Sequence, residues 1–225
     1  YVQNLVIKPG VYHSSSLGHM PRLKTVTFEG DLSRSTRIGD NAFWRNPSLE
    51  SVDFSNAVMT WGRWVFRETP SLKEVKFPIG FQEIPEYTFA DSGLEEITLP
   101  DTITIIGKAA FMGTKLTNIV IPISVFEIKQ HAFAISTLES ITFLTVNPMM
   151  VEDAAFGSPN NEVLQNVVVP RHFIRNIGDE PFVTKNPINI FVNAESVPAE
   201  WSSNQNVYVL GEWAYIDGNP IILAN

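Results

Sequence analysis

The sequence predicts a predominantly β, α/β solenoid: right-handed coils of 22–26 residues, a parallel sheet on the concave face, and short turns or 3-10 segments outside. Three observations carry this reading. Phe recurs at one phase, at Phe43, Phe66, Phe89, Phe111, Phe133, Phe156 and Phe182, and five of the six gaps are 22 or 23 residues. A block of the form L-x-x-I-x-F begins five to eight residues after most of these Phe. Pro often closes that block, and Gly often stands between it and the next Phe.

The strand block comes first. Its copies are Leu23/Val26/Phe28, Leu49/Val52/Phe54, Leu72/Val75/Phe77, Leu94/Ile97/Leu99, Leu116/Ile119/Ile121, Leu138/Ile141/Phe143 and Leu164/Val167/Val169, with Val2/Leu5/Ile7 a looser copy and Ile190/Val192 a last one. The last two apolar positions are two residues apart, so they share one side of a short strand, and Val, Ile and Phe favour that state. One such strand cannot bury its apolar side alone; stacked copies bury it in a continuous core. Pro78, Pro100, Pro122 and Pro170 follow blocks directly and act as strand stops, because proline has no N–H for a ladder.

A core-type residue stands five positions before each Phe: Ile38, Trp61, Ile84, Ile106, Ile128, Val151 and Ile177. Gly39, Gly62, Gly107 and Gly178 follow it and permit a tight bend or close packing on the neighbouring coil. The segment up to Phe is too short for a stable helix, so an extended piece followed by a helical or 3-10 turn is expected there. Two block intervals run to 26 residues, and the extra residues are assigned to loops around 30–36 and 158–162. One repeat domain covers residues 1–195. Residues 196–225, where the phase is lost, form a C-terminal cap with short strands, Trp201 and Trp213 packing it.

The cadence I-G-x-x-A-F, a spacer, then L-x-x-I-x-I/L-P is clearest in Ile106, Gly107, Ala110 and Phe111 and from Leu116 to Pro122. It closely resembles the BspA-like class of leucine-rich repeats. That resemblance implies a cell-surface or secreted binding module, with adhesion to a host or extracellular protein or glycan as its role. Departures occur at Trp61 and Trp64, at Leu144 in place of Pro after Phe143, and at Pro181 before Phe182. The alternative role is a structural spacer or assembly segment of a larger surface protein.

Composition narrows the function classes. The 225 residues are 44% hydrophobic and 18% charged, as expected of an ordered domain. A net charge of -8 gives no broad positive field for a phosphate backbone, so nucleic acid is not an expected partner. Cysteine is absent, which removes disulfides, thiol nucleophiles and thiolate metal sites. No apolar run reaches the roughly 20 residues that span a bilayer. The chain starts at Tyr1 with no basic, apolar leader, as in a processed product or an excised fragment. His13, His19, His131 and His172 lack metal-ligand spacing, and no phosphate loop, nucleophile elbow or zinc helix is present. The expectation is therefore no catalysis, no cofactor and no metal.

Binding candidates fall into two groups. On the strand blocks, the outward columns read Lys24, Glu50, Lys73, Glu95, Thr117, Glu139, Gln165 and Thr27, Asp53, Lys76, Thr98, Val120, Thr142, Val168. Alternating signs along them keep the face soluble. Glu74 and Glu96 bring like charges together, and with Glu95 they form an acidic candidate for a cation or a basic protein patch. Elsewhere, Trp44, Trp61 and Trp64 lie within 21 residues beside Arg45, Arg63 and Arg67. Trp61 belongs to a core column. Trp44, Trp64, Arg63 and Arg67 are of the types that anchor protein interfaces, and the two rings are also suited to stacking on a sugar.

Overall fold

Alternation of Val, Ile, Thr and Phe along the blocks makes one side of each strand apolar, and stacking those sides builds the main face of the protein. The computed structural model describes residues 2–7, 17–28, 32–135, 137–144, 149–157, 164, 166–169, 189–192, 206–209, 213–216 and 219–222. Strands β1 (Asn4–Ile7), β2 (Thr25–Phe28), β4 (Ser51–Asp53) and β6 (Glu74–Lys76) form one parallel sheet, with Leu5, Val26, Val52 and Val75 in line. Strands β9 (Asn118–Ile121), β11 (Ser140–Phe143), β13 (Asn166–Val169), β14 (Asn189–Val192) and β15 (Asn206–Val209) form a second, with Ile119, Ile141, Val167, Ile190 and Val207 in line.

A second side of the coils carries narrower ladders. Strand β3 (Leu32–Ile38) pairs with β5 (Ala57–Trp61), and β7 (Glu83–Ile84), β8 (Ile105–Ile106), β10 (Glu127–Ile128) and β12 (Met150–Val151) form a row. The extra residues near 30–36 do not all leave as a loop. They are taken up partly within β3, whose register on β5 shifts between Leu32 and Thr36, four residues against the two from Ala57 to Met59. In the tail, β15 adds a parallel rung in register with β14, and β16 (Trp213–Ile216) and β17 (Asn219–Ile222) form an antiparallel pair.

The third side corrects the expected α/β class. The fold is an all-β solenoid, and among the described residues there is neither α-helix nor 3-10 helix. The cause is visible in the amides around Phe89. Those of Tyr87, Phe89 and Asp91 donate to carbonyls of the next coil, at Lys108, Ala110 and Met112, whereas those of Thr88, Ala90 and Ser92 bond three residues back. A 3-10 helix needs successive amides to bond back locally. Here every second one belongs to the neighbouring coil, and the turns become a ladder.

Backbone signs follow the same rhythm. Residues two before and two after the Phe are left-handed: Asn41 and Arg45, Trp64 and Glu68, Tyr87 and Asp91, Ala109 and Gly113, with φ between 51° and 69°. Helix and 3-10 geometry require negative φ throughout.

Inside, the Phe form one stack. Successive centroids from Phe43 through Phe66, Phe89, Phe111 and Phe133 to Phe156 lie 5.1–5.5 Å apart, with interplanar angles of 18° or less. All six are buried completely. Phe182, Gly178, His13, His172 and Trp201 lie outside the described residues, as does the 158–162 insertion. Gly107 sits against the preceding coil: a Cβ there would stand 2.7 Å from the Ile84 carbonyl oxygen. A buried polar column at Asn46, Thr69, Ser92 and Thr114, three residues after successive Phe, runs beside the stack. Thr69 and Thr114 hydroxyls donate to the Phe66 and Phe111 carbonyls, and Asn46 bridges the Met20 amide and the Leu17 carbonyl.

Candidate functional site

The main face is interrupted at one coil. Residues 94–99 carry the same block as their neighbours, yet they form no strand, and β6 and β9 are the facing edges of two separate sheets. Among the described residues no backbone hydrogen bond joins 95–99 to either edge, although Gly93 N still donates to Thr69 O and Lys115 N to Leu94 O just beside the gap. Val75, Phe77 and Ile97, whose counterparts Val52, Phe54 and Ile119 are buried, are half-buried there.

The core beside this opening is rich in aromatic side chains. Trp61 occupies the column held elsewhere by Ile or Val, and its ring lies 4.3 Å from Phe81 and 5.6 Å from Phe77, centroid to centroid. Phe54, Phe66 and Phe89 close around it. Trp61 Nε1 is buried there without a hydrogen-bond partner.

Glu74, Glu95 and Glu96 are exposed around this opening. Ion pairs on the four-stranded side end at its edge: Lys24 holds Glu50 at 2.9 Å, and Lys76 holds Asp53 at 3.0 Å with Glu74 at 3.9 Å. Among the described residues, Glu95 and Glu96 have no cation within 4.0 Å. The hydrogen bond from Lys24 lowers the Glu50 pKa. Burial pulls Asp53 upward, but bonds from Ser55 and Lys76 outweigh it and leave the carboxyl below its usual range, while Asp53 raises Lys76.

Trp44, Trp64, Arg63 and Arg67 lie on the turn ladder, a different side of the coil, and form two groups instead of one. Trp44 is half-buried, with the Arg45 guanidinium 4.4 Å from its ring centroid and the His19 ring edge-on at 4.9 Å. Glu68 ties this group, accepting from Arg45 Nε at 2.6 Å and from Trp44 Nε1 at 3.4 Å, and the Arg45 bond lowers its pKa. Arg67 lies 3.6 Å from Glu68 and 4.0 Å from Asp91. Trp64, also half-buried, lies 6.4 Å from Tyr87, and Arg63 pairs with Glu86 at 3.6 Å.

Glu74 lies in β6 and Glu95 and Glu96 in the strandless segment beside it, and the sequence alone did not single out the half-buried apolar residues next to them. Among the described residues no group of three His, Asp or Glu is arranged to hold a metal ion.

The solenoid is similar to solved structures. A T. pallidum leucine-rich repeat protein matches with TM-score 0.55 and 21% identity over 81% of this chain and 78% of its own. A leucine-rich repeat protein from Bacteroides ovatus gives 0.56 and 15% over 91% and 60%, and one from Eubacterium ventriosum 0.50 and 16% over 93% and 74%. These likenesses concern the fold. No curated protein matches the sequence. The model of the BspA type leucine rich repeat region matches in six copies, over residues 13–95, 36–162 and 82–198, and with the Phe stack and the repeated strand register this makes the chain a member of the BspA-type leucine-rich repeat family.

Proposed function

We propose that this non-catalytic repeat module belongs to a cell-surface or secreted protein and binds an extracellular protein or glycan, with its main contact at the interruption of the main face. The observation that carries the reading is the coincidence of exposed Glu74, Glu95 and Glu96 with half-buried Val75, Phe77 and Ile97 at unpaired sheet edges. Apolar anchors beside Glu95 and Glu96, which have no cation within 4.0 Å among the described residues, suit a basic protein patch, with Glu74 already shared with Lys76 at 3.9 Å. Trp44, Trp64, Arg63 and Arg67 supply a second contact surface, since neither ring is fully buried. A spacer would have a uniformly polar main face, which these apolar residues and the exposed Val120 argue against.

The test is a pull-down from extracellular-matrix and mucosal extracts, followed by titration of the purified partner at several salt concentrations. Wild type is expected to bind saturably, with affinity falling as salt rises. Replacing Glu74, Glu95 and Glu96 with Gln should weaken binding and flatten that dependence. Unchanged affinity and salt response in the triple variant would remove the acidic site, and a failure to recover any saturable partner would favour the spacer.

A further inference from the structure

We infer that Trp64 and Tyr87, on the turn ladder, form a stacking site for a neutral hexopyranose unit of a glycan, which rests on the second contact surface proposed above at Trp64 and Arg63. It does not depend on the acidic opening of the main face. The two aromatic residues share one column, two positions before Phe66 and Phe89, on successive coils joined by the Trp64 amide donating to the Glu86 carbonyl at 3.1 Å. Their ring centroids lie 6.4 Å apart, with the planes inclined by 30°. Trp44, by contrast, is already engaged: its Nε1 donates to Glu68 at 3.4 Å, Arg45 lies over its ring and His19 meets it edge-on. Trp64 Nε1 and the Tyr87 hydroxyl have no hydrogen-bond partner among the described residues, and neither atom is buried.

The fold does not ask for these rings. Their column is left-handed at Asn41, Trp64, Tyr87, Ala109, His131 and Ala154, with φ from 51° to 61°. Asn accepts that conformation readily, whereas a bulky side chain there is strained. Ala109, one coil on from Tyr87, is buried, so a methyl group is enough to close the column. Phe66 and Phe89 are completely buried and stack on each other beneath the half-buried Trp64 and Tyr87. Backbone strain accepted for side chains that stay partly exposed is the pattern of a ligand contact.

The surroundings select the ligand. One residue before each ring stand Arg63 and Glu86, their side chains 57% and 37% exposed and paired at 3.6 Å. That separation is beyond hydrogen-bond length, so the guanidinium donors and carboxylate oxygens stay open to a ligand. Along the row Asp40, Arg63, Glu86 and Lys108 alternate in sign, and the charges cancel. A hexopyranose matches both rows: its C–H face packs on an aromatic ring, and its hydroxyls donate to a carboxylate and accept from a guanidinium, an indole N–H or a phenol. A cationic ligand would meet Arg63, and an acidic one Glu86. A protein anchor needs flanking side chains that shut out water. Here the coil on one side presents Asp40 and Asn41, and the coil on the other Lys108 and the buried Ala109. A sugar keeps water on its outer hydroxyls and needs no such rim.

The experiment probes the whole chain on immobilised cello- and galacto-oligosaccharides, with polygalacturonate and sialylated oligosaccharides as acidic counterparts, followed by calorimetric titration of the best ligand. Binding is expected to neutral members only and to be insensitive to salt. Trp64→Asn and Tyr87→Asn should each weaken it by about tenfold or more. Both variants should keep a cooperative melt, since Asn41 already holds the same left-handed position. Glu95→Gln with Glu96→Gln should leave binding intact, which separates this site from the acidic one. Absence of any neutral ligand, preference for acidic ones, or full binding by both Asn variants would overturn the sugar assignment. If no sugar binds while Trp64→Asn still weakens the protein partner recovered by pull-down, the contact surface stands and the sugar falls; if that affinity is unchanged too, both fall.

Discussion

In the four-stranded half of the main face, outward residues neutralise one another across strands, Lys24 with Glu50 and Lys76 with Asp53. At the matching positions of β9 and β11 in the five-stranded half stand Asn118, Val120, Ser140 and Thr142, none of them charged, with Glu139 beside them an exposed exception. Beneath both halves the inward residues are nearly interchangeable: Val26 and Val52 on one side, Ile119 and Ile141 on the other, all buried. The difference teaches that the repeat constrains what points in and leaves what points out free to vary, so recognition can be written on one side of a strand without disturbing the stack.

The comparison can be broken or sharpened by substitution. The largest effect is expected for Phe111→Ala, which empties a fully buried slot between Phe89 and Phe133 and should cost about 3–5 kcal/mol in urea denaturation. Phe77→Ala, beside the interruption where the ring is half-buried, should cost about half as much. Equal losses would mean that the opening at residues 94–99 does not relax the core.

Backbone substitutions come next. Gly107→Ala drives a Cβ to 2.7 Å from the Ile84 carbonyl oxygen, and about 1–3 kcal/mol of stability should be lost as the two coils separate. Two residues on, Ala109→Gly should be neutral or stabilising by up to about 1 kcal/mol, because φ is 51° there and glycine carries no Cβ penalty. Thermal melting of both variants checks the pair; a loss at Ala109→Gly would contradict the turn ladder.

The smallest effect is acid sensitivity confined to one half. Glu50, Asp53 and Glu68 all have lowered pKa values, held by Lys24, by Ser55 with Lys76, and by Arg45 respectively. A depressed carboxyl contributes stability that is present above its unfolded-state pKa and is lost as pH falls through the lower folded-state value. These groups are exposed or nearly so, and solvent screening keeps the contribution small. Amide spectra recorded during acidification should therefore show β4 and β6 loosening before β9 and β11. Simultaneous loosening would remove the charge asymmetry as a factor in stability.

Much of this was legible in the residues. The Phe phase, the blocks and the outward columns are repeated letters, and repetition identifies a stack. The sign of φ is not written that way: Asn41, Asp91 and Gly113 favour the left-handed region, but Trp64, Tyr87 and Ala109 occupy it because the neighbouring coil takes their amides. That is why helical turns were expected where a ladder exists. The interruption was equally hidden, since Leu94, Ile97 and Leu99 match the block as their paired neighbours do. The polar column at Asn46, Thr69, Ser92 and Thr114 could have been found three residues after Phe43, Phe66, Phe89 and Phe111. For the candidate site, sequence located the charges and could not reveal which apolar neighbours were left partly uncovered.

Peptide-resolved hydrogen exchange tests the division of the main face most directly. Amides of 95–99 should exchange far faster than those of β4 and β11, whose strands are paired on both sides. Uniform protection through 72–121 would mean that one continuous sheet runs across the coil, and the account of two separate halves would fail.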